Sequence, residues 1–355
     1  MCTRNPLHCI IPPYILERLT FSAQARIRAL AITNLASSSA FVATRTSAQA
    51  MPTLMASKSP QGGKNRLVYD AKGTNSLPGT LARSEGQAAT GDAAMDEAYE
   101  GSGDVYDFFH ELFGRNSLDD NGMSLISTAH VGDVDFDGKF VPLNNAFWNG
   151  QQMAYGDGDG EVFKRFTGSL EVIGHELSHG VQSFASNLNY QGQSGALNEH
   201  FADVFGILVR QWKQGTSAEA SSWVIGAELL EPAPTRRGIR DMEHPGTAYV
   251  DDPELGDDPQ PASMKQLYVG AKDSGGVHIN SGIPNRAFVL TAKALGGNAW
   301  DVAGKIWYET LLQLHSGSQF IDCARISVQV AADKQYGPAA KKAVKAAWKK
   351  VGINV

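Results

Sequence analysis

Hydrophobic residues follow two different periods along the chain. Over about residues 66–165 short apolar runs alternate with polar ones and close in turns: RLVYDAK, MSLISTAHV, KFVPLNNAFW and QQMAYGDGDG. That alternation predicts strands, with one helix at DEAYEGSGDVYDFFHELFG. From Gly168 onward apolar positions recur three and four residues apart, which predicts helices over 168–186, 195–213, 219–230, 280–295, 299–314, 320–335 and 338–350. A loop over 231–275, rich in Pro, Asp and Gly, interrupts them, and MPTLMASKSPQGGKN at 51–65 reads as a linker. The pattern predicts an α+β protein: a leader, then a β-rich half, then a helical half.

Composition narrows the function classes. With 355 residues, 42% hydrophobic and 19% charged, the chain can bury a sizeable core without staples. Three cysteines, Cys2, Cys9 and Cys323, exclude a disulfide framework. A net charge of -6 gives no whole-chain case for nucleic acid or an anionic membrane. The basic run Lys341, Lys342, Lys345, Lys349 and Lys350 fits the solvated face of a terminal helix. No stretch approaches the ~20 apolar residues needed to cross a bilayer. ALAITNLASSSAFVA, before Ala48-Gln49-Ala50, is too polar and too far from Met1 to read as a signal, so the expected location is cytoplasmic, with non-classical release as the exit route.

Chemistry concentrates at His175-Glu176-Leu177-Ser178-His179, an H-E-x-x-H. Positions i and i+4 share a helix face, so both imidazoles reach one metal. Leu170, Ile173, Leu177, Val181 and Phe184 form the helix's apolar stripe, leaving His175 and His179 on the other side beside Val172. A catalytic zinc uses three protein ligands. GALNEHFADVFGILVRQW supplies the third: Glu199 and Asp203 project one turn apart, opposite Leu197, Phe201, Val204, Leu208 and Trp212. Glu199 is the favoured ligand, Asp203 suits the free N–H of His175, and Asn198 that of His179.

NNAFWNG…GDGDG, HELSH, ALNEHFADVFG and DSGGVHINSG, in this order, resemble the thermolysin family of zinc metallopeptidases from about residue 66 to the C-terminus. The short leader with CIIPPYIL is similar to the protealysin-type branch. The resemblance implies a two-domain fold with the zinc site in the cleft, and divides the chain into a propeptide (1–50), an N-terminal catalytic domain (51–187) and a helical catalytic domain (188–355). It implies a latent zinc endopeptidase in which Glu176 takes the proton of a zinc-bound water and returns it to the leaving amine. Tyr190 and His278 would stabilise the oxyanion, with Asp273 orienting His278. Asn145 and Ala146 match the edge strand that holds substrate backbone, and Arg240 the arginine reaching the carbonyl after the scissile bond. Phe163, Phe166, Val172, Ile225, Leu229 and Ile239 match pocket-lining positions; all are apolar, so cleavage before Leu, Phe, Ile, Val or Met is expected.

The family's double calcium site pairs an acid before the motif with acids after it. Glu171 keeps the first, but Arg210 stands at the second helix's position, so an ion pair is expected in place of calcium. Asp133, Asp135 and Asp137 copy half an EF-hand, yet its twelfth position is Asn144, which favours a polar hairpin tip. In the leader, Pro12 and Pro13 stiffen an extended segment, with Ile10, Ile11, Tyr14, Ile15 and Leu16 as apolar anchors for the cleft. A Cys9 thiolate on the zinc is the alternative route to latency, and docking by anchors is preferred. Self-cleavage is expected at Ala50-Met51. The expected partners are peptide substrates and the chain's own propeptide, with no nucleic acid or membrane, in a monomer. A silent zinc protein that binds peptides, and a calcium-stabilised module, are the rivals; the first would need loss of Glu176, Tyr190 or His278, all of which are present.

Overall fold

The computed structural model describes residues 8–48, 63–134 and 138–355. Ala50, Met51, Asp135 and Asp137 therefore lie outside the described residues. Three leader elements come first: strand β1 (His8–Cys9), helix α1 (Pro13–Leu19) and helix α2 (Ala25–Ala48). The prolines do not stiffen a long strand. Pro12 is the last extended residue and Pro13 opens α1, where a missing N–H costs nothing because no carbonyl precedes it in the helix.

The β-rich half comprises β2 (Arg66–Asp70), β3 (Thr80–Ser84), α3 (Ala93–Phe113), β4 (Leu125–Val134), β5 (Phe140–Pro142), β6 (Ala146–Trp148) and β7 (Met153–Gly156). The sheet runs β1-β6-β7-β4-β2-β3, with β5 on β4. β4 pairs parallel with β2 and β7, while β6 pairs antiparallel with β7 and with the leader's β1. The leader thus adds an edge strand to the main sheet. Asp92 caps α3 by accepting from the Met95 amide, and Gly114 ends it at φ +67°.

The helical half comprises α4 (Leu170–Phe184), α5 (Gly192–Gln214), a two-stranded ribbon β8 (Val224–Ile225) and β9 (Arg240–Asp241), then α6 (Lys272–Asn280), α7 (Gly282–Leu295), α8 (Val302–Gln313), α9 (Phe320–Val330) and α10 (Gly337–Lys350). The helix expected over 219–230 is absent. Val224 and Ile225 pair with Asp241 and Arg240, and Gly226 turns at φ +70°, so ribbon pairing wins over helical periodicity there. That substitution brings Arg240 to the site.

One close approach decides how α4 and α5 sit against each other. A Cβ on Gly206 of α5 would lie 2.5 Å from the Glu171 carbonyl oxygen and 2.9 Å from the His175 amide nitrogen of α4. Only glycine lets the two backbones meet there. The contact sets Asp203 and Glu199, on the same helix, against the two histidines.

Candidate active site

His175, His179 and Glu199 are fully buried and their ligand atoms lie within 4.8 Å of one another. Glu199 Oε2 stands 3.5 Å from His175 Nε2, and Oε1 stands 3.7 Å from His179 Nε2. The far ring nitrogens are held from behind. His175 Nδ1 meets Asp203 Oδ1 at 2.9 Å and His179 Nδ1 meets Asn198 Oδ1 at 2.6 Å. Both partners accept, so both Nδ1 atoms donate, and with the rings neutral both Nε2 atoms would present lone pairs to a metal.

Those two Nε2 atoms face each other at 3.1 Å, beside a Glu199 oxygen that has no hydrogen-bond partner among the described residues. Three acceptors converging in a dry site repel one another unless a cation lies between them. The donor set, two imidazoles and one carboxylate, fits zinc with a coordination position left open. Where no metal is bound a proton can take the cation's place: burial lowers the His175 imidazole, but Asp203 and Glu199 outweigh it and hold it up at about 9. Burial pushes His179 down to about 3.

The remaining predicted groups gather around this cluster. Glu176 Oε2 accepts from the Trp148 amide at 3.0 Å, while Oε1 is buried with no hydrogen-bond partner among the described residues. Burial pushes the Glu176 carboxyl up to about 8. His278 Nε2 lies 3.1 Å from the Tyr190 hydroxyl, which donates to Glu199. Asp273 binds His278 Nδ1 at 2.6 Å and accepts from the His278 and Ile279 amides. Four successive residues, Asp273 to Gly276, take positive φ, and this tight left-handed turn folds Asp273 back over the helix start. Burial lowers His278, yet Glu199 and Asp273 outweigh it and hold it at about 9, so both ring nitrogens donate at neutral pH. Burial, then Glu199, keeps the Tyr190 phenol protonated.

Arg240 is fully buried and forked onto Asp203, with Nη2 to Oδ1 at 2.8 Å and Nε to Oδ2 at 3.0 Å. Burial opposes ionisation of Asp203, but Arg240 and His175 outweigh it and hold the carboxyl well below the usual range. Asn145 directly precedes β6 and Ala146 opens it, and Phe163, Phe166, Val172, Ile225, Leu229 and Ile239 are buried in the main hydrophobic core, which runs from the leader to the C-terminal helices. Ile10, Ile11, Ile15 and Leu16 of the leader belong to that same cluster, with Tyr14 packed against it. The Cys9 carbonyl meets His278 Nε2, and among the described residues its sulfur is not part of the three-ligand group.

A family model for the thermolysin metallopeptidase catalytic domain matches residues 33–183, and one for the thermolysin alpha-helical domain matches residues 186–353. The chain belongs to the thermolysin family of metallopeptidases. It is 45% identical over 99% of its length to an extracellular metalloprotease of Pectobacterium carotovorum subsp. carotovorum, covering 98% of that protein. A protease PrtS of Photorhabdus is 50% identical over 82% of this chain and 77% of its own. The solved precursor of protealysin, a metalloproteinase from Serratia proteamaculans, aligns with TM-score 0.85 and 44% identity over 98% of this chain and 99% of that one. The chain is thus a protealysin-like member and a metalloendopeptidase, and the family is zinc-dependent. The expectation of a cytoplasmic protein is overturned by the relative named extracellular, matched over nearly the full chain. Among the described residues no helix is long and apolar enough to cross a membrane.

The sequence reading missed three contributors. The Trp148 amide pins Glu176, but a backbone donor leaves no mark in residue type. Asn285 Nδ2 donates to Asp203 Oδ2 at 2.8 Å, and the Asp203–Arg240 fork ties a zinc-side residue to a substrate-side one. Asp203 and Arg240 had each been singled out, but their pairing depends on the unforeseen ribbon.

Proposed function

We propose that this thermolysin-family protease is exported as a latent precursor and hydrolyses peptide bonds on the N-terminal side of large apolar residues. His175, His179 and Glu199 would hold the zinc. When bound, zinc supplies Lewis acidity that polarises a substrate carbonyl and makes water nucleophilic at neutral pH. The residues of the chain do the rest. In its carboxylate form, which a zinc cation nearby would favour, Glu176, pinned through Oε2, has Oε1 placed to take a proton from water and return it to the departing amine. Tyr190 and His278 donate to the oxygen that gains charge, with Asp273 fixing the imidazole. Arg240 grips the carbonyl after the scissile bond, and Asn145 and Ala146 align the backbone as an added strand. Burying an apolar side chain among Phe163, Phe166, Val172, Ile225, Leu229 and Ile239 contributes roughly 1.5–3 kcal/mol, enough for preference. The unpartnered Glu176 oxygen beside three converging acceptors carries this reading.

We place the processing site at Ala50-Met51 and keep the domain limits at residues 50 and 187. Glu171 and Arg210, at 3.2 Å, would take the place of the family's paired calcium ions, and the mature protein would be a monomer. The test is hydrolysis of an external peptide by wild type and Glu176→Ala, each with and without a zinc chelator. The variant should lose about 100- to 10,000-fold in kcat. Equal activity in the two proteins overturns the mechanism, and cleavage products lacking an apolar residue after the cut overturn the specificity.

A further inference from the structure

The leader lies in the cleft in the direction and register of a substrate. Antiparallel pairing sets His8 opposite Trp148 and Cys9 opposite Phe147 on β6. The Cys9 carbonyl oxygen lies 3.1 Å from His278 Nε2, the donor aimed at a developing oxyanion. On the other side of the same peptide bond, the Ile10 amide donates to the Ala146 carbonyl at 3.3 Å, and the Ile10 carbonyl accepts from Arg240 Nη1 at 3.1 Å. The Ile11 amide donates to Asn145 Oδ1 at 3.1 Å. The Ile10 side chain is fully buried in the molecule's main hydrophobic core. The contacts thus hold both sides of the Cys9–Ile10 bond, with the Cys9 carbonyl on His278 and the Ile10 amide on Ala146.

The prolines do not protect this bond. Pro12 and Pro13 begin two residues beyond it, so neither of its atoms belongs to a proline ring. We infer that the chain cuts its own leader between Cys9 and Ile10, at a site distinct from the linker. The inference rests on the hydrolytic role proposed above. Water adds its oxygen to the Cys9 carbonyl carbon, the bond to the Ile10 nitrogen breaks, and Glu176 carries a water proton to that nitrogen. The products are a Met1–Cys9 peptide with a free carboxylate and a chain beginning at Ile10. Strand and site belong to one chain, so the reaction is first order. The remaining leader stays clamped: Arg26 pairs with Glu161 at 2.8 Å, and Asn34 Oδ1 accepts from the Asn144 amide at 2.6 Å. The cut thus frees the strand β1 while α1 and α2 remain docked.

The experiment uses the full-length chain in two forms. In metal-free Glu176→Gln protein, hydrogen exchange should show protected amides at Ile10 and Ile11, and Ile10→Glu should abolish that protection. Zinc is then added to the wild-type precursor, and mass spectrometry should find Met1–Cys9 with a new N-terminus at Ile10. Its rate should be independent of protein concentration and fall on the order of 100-fold in Ile10→Glu. Ile10 and Ile11 amides that exchange as in a free chain overturn the register and with it the cut. Hydrolysis of an external peptide is followed in the same preparation over the same time. An active preparation with an intact Cys9–Ile10 bond overturns this inference alone, and an inactive one overturns the proposed function as well.

Discussion

One helical turn separates two buried carboxylate centres along α4. At the first, Glu171 Oε1 lies 3.2 Å from Arg210 Nη1 and accepts from the Gly226 amide, also at 3.2 Å. At the second, Glu199 faces His175 and His179, whose donors are already spent on Asp203 and Asn198. Both glutamates are fully buried, and both sit at the same helix–helix contact. The first carries its own cation in Arg210; at the second Tyr190 and His278 serve only Oε1 of Glu199, and Oε2, on the side of the two histidines, has no hydrogen-bond partner among the described residues. Counting donors therefore separates an ion pair from a metal site where burial alone does not.

The largest test removes the external cation. Stripping zinc with a chelator should abolish peptide hydrolysis and lower unfolding free energy, by about 4 kcal/mol if zinc had been present at 1,000 times its Kd. Equal chemical-denaturation curves with and without zinc would break the contrast at its stronger end. The next test exchanges the internal cation. Arg210→Leu leaves Glu171 buried without its partner and should cost about 3 kcal/mol while zinc content stays at that of wild type. Arg210→Glu should go further and turn this centre into one that needs a metal: calcium should raise its melting temperature and leave that of wild type unmoved. A wild-type protein stabilised by calcium would show that the arginine has not replaced the ions.

Much of this contrast was legible beforehand because it depends on helical spacing. His175 and His179 at i and i+4, and Glu199 and Asp203 on the next helix, fix their faces whatever lies around them. Asn198, Tyr190 and His278 also lie beside the cluster, and the last two had been singled out through the family resemblance rather than through pattern. Pairings that cross the chain were illegible. The fork from Arg240 to Asp203 needs β8 and β9, and the segment that forms β8 looked helical because Val224, Ile225 and Leu229 also fit a helical face. The leader's helices hid behind their prolines and serines, since a proline at a helix start reads like one in an extended segment until the helix is seen. The location was misread for a different reason: a weak apolar stretch says little about export, and a relative named extracellular says more.

A third centre extends the comparison to a cation that comes and goes. His130, at φ +56° in β4, places Nδ1 2.9 Å from Asp157 and Nε2 3.1 Å from Asp92, the residue that caps α3. Burial lowers this imidazole, but the two carboxylates outweigh burial and raise it above its ordinary value. A raised folded pKa means the protonated form is favoured in the native state. Its contribution is therefore complete below the unfolded value of about 6.5 and fades as pH rises through the folded one. The side chain is 24% exposed and its acids 33–37%, so solvent screening should keep the contribution within about 1 kcal/mol. Chemical denaturation of wild type and His130→Gln should differ most at pH 6 and converge by pH 9, whereas wild type and Arg210→Leu should stay apart across that range, because a guanidinium does not deprotonate there. A His130→Gln difference that grows with pH would mean that the imidazole is neutral between its two acids.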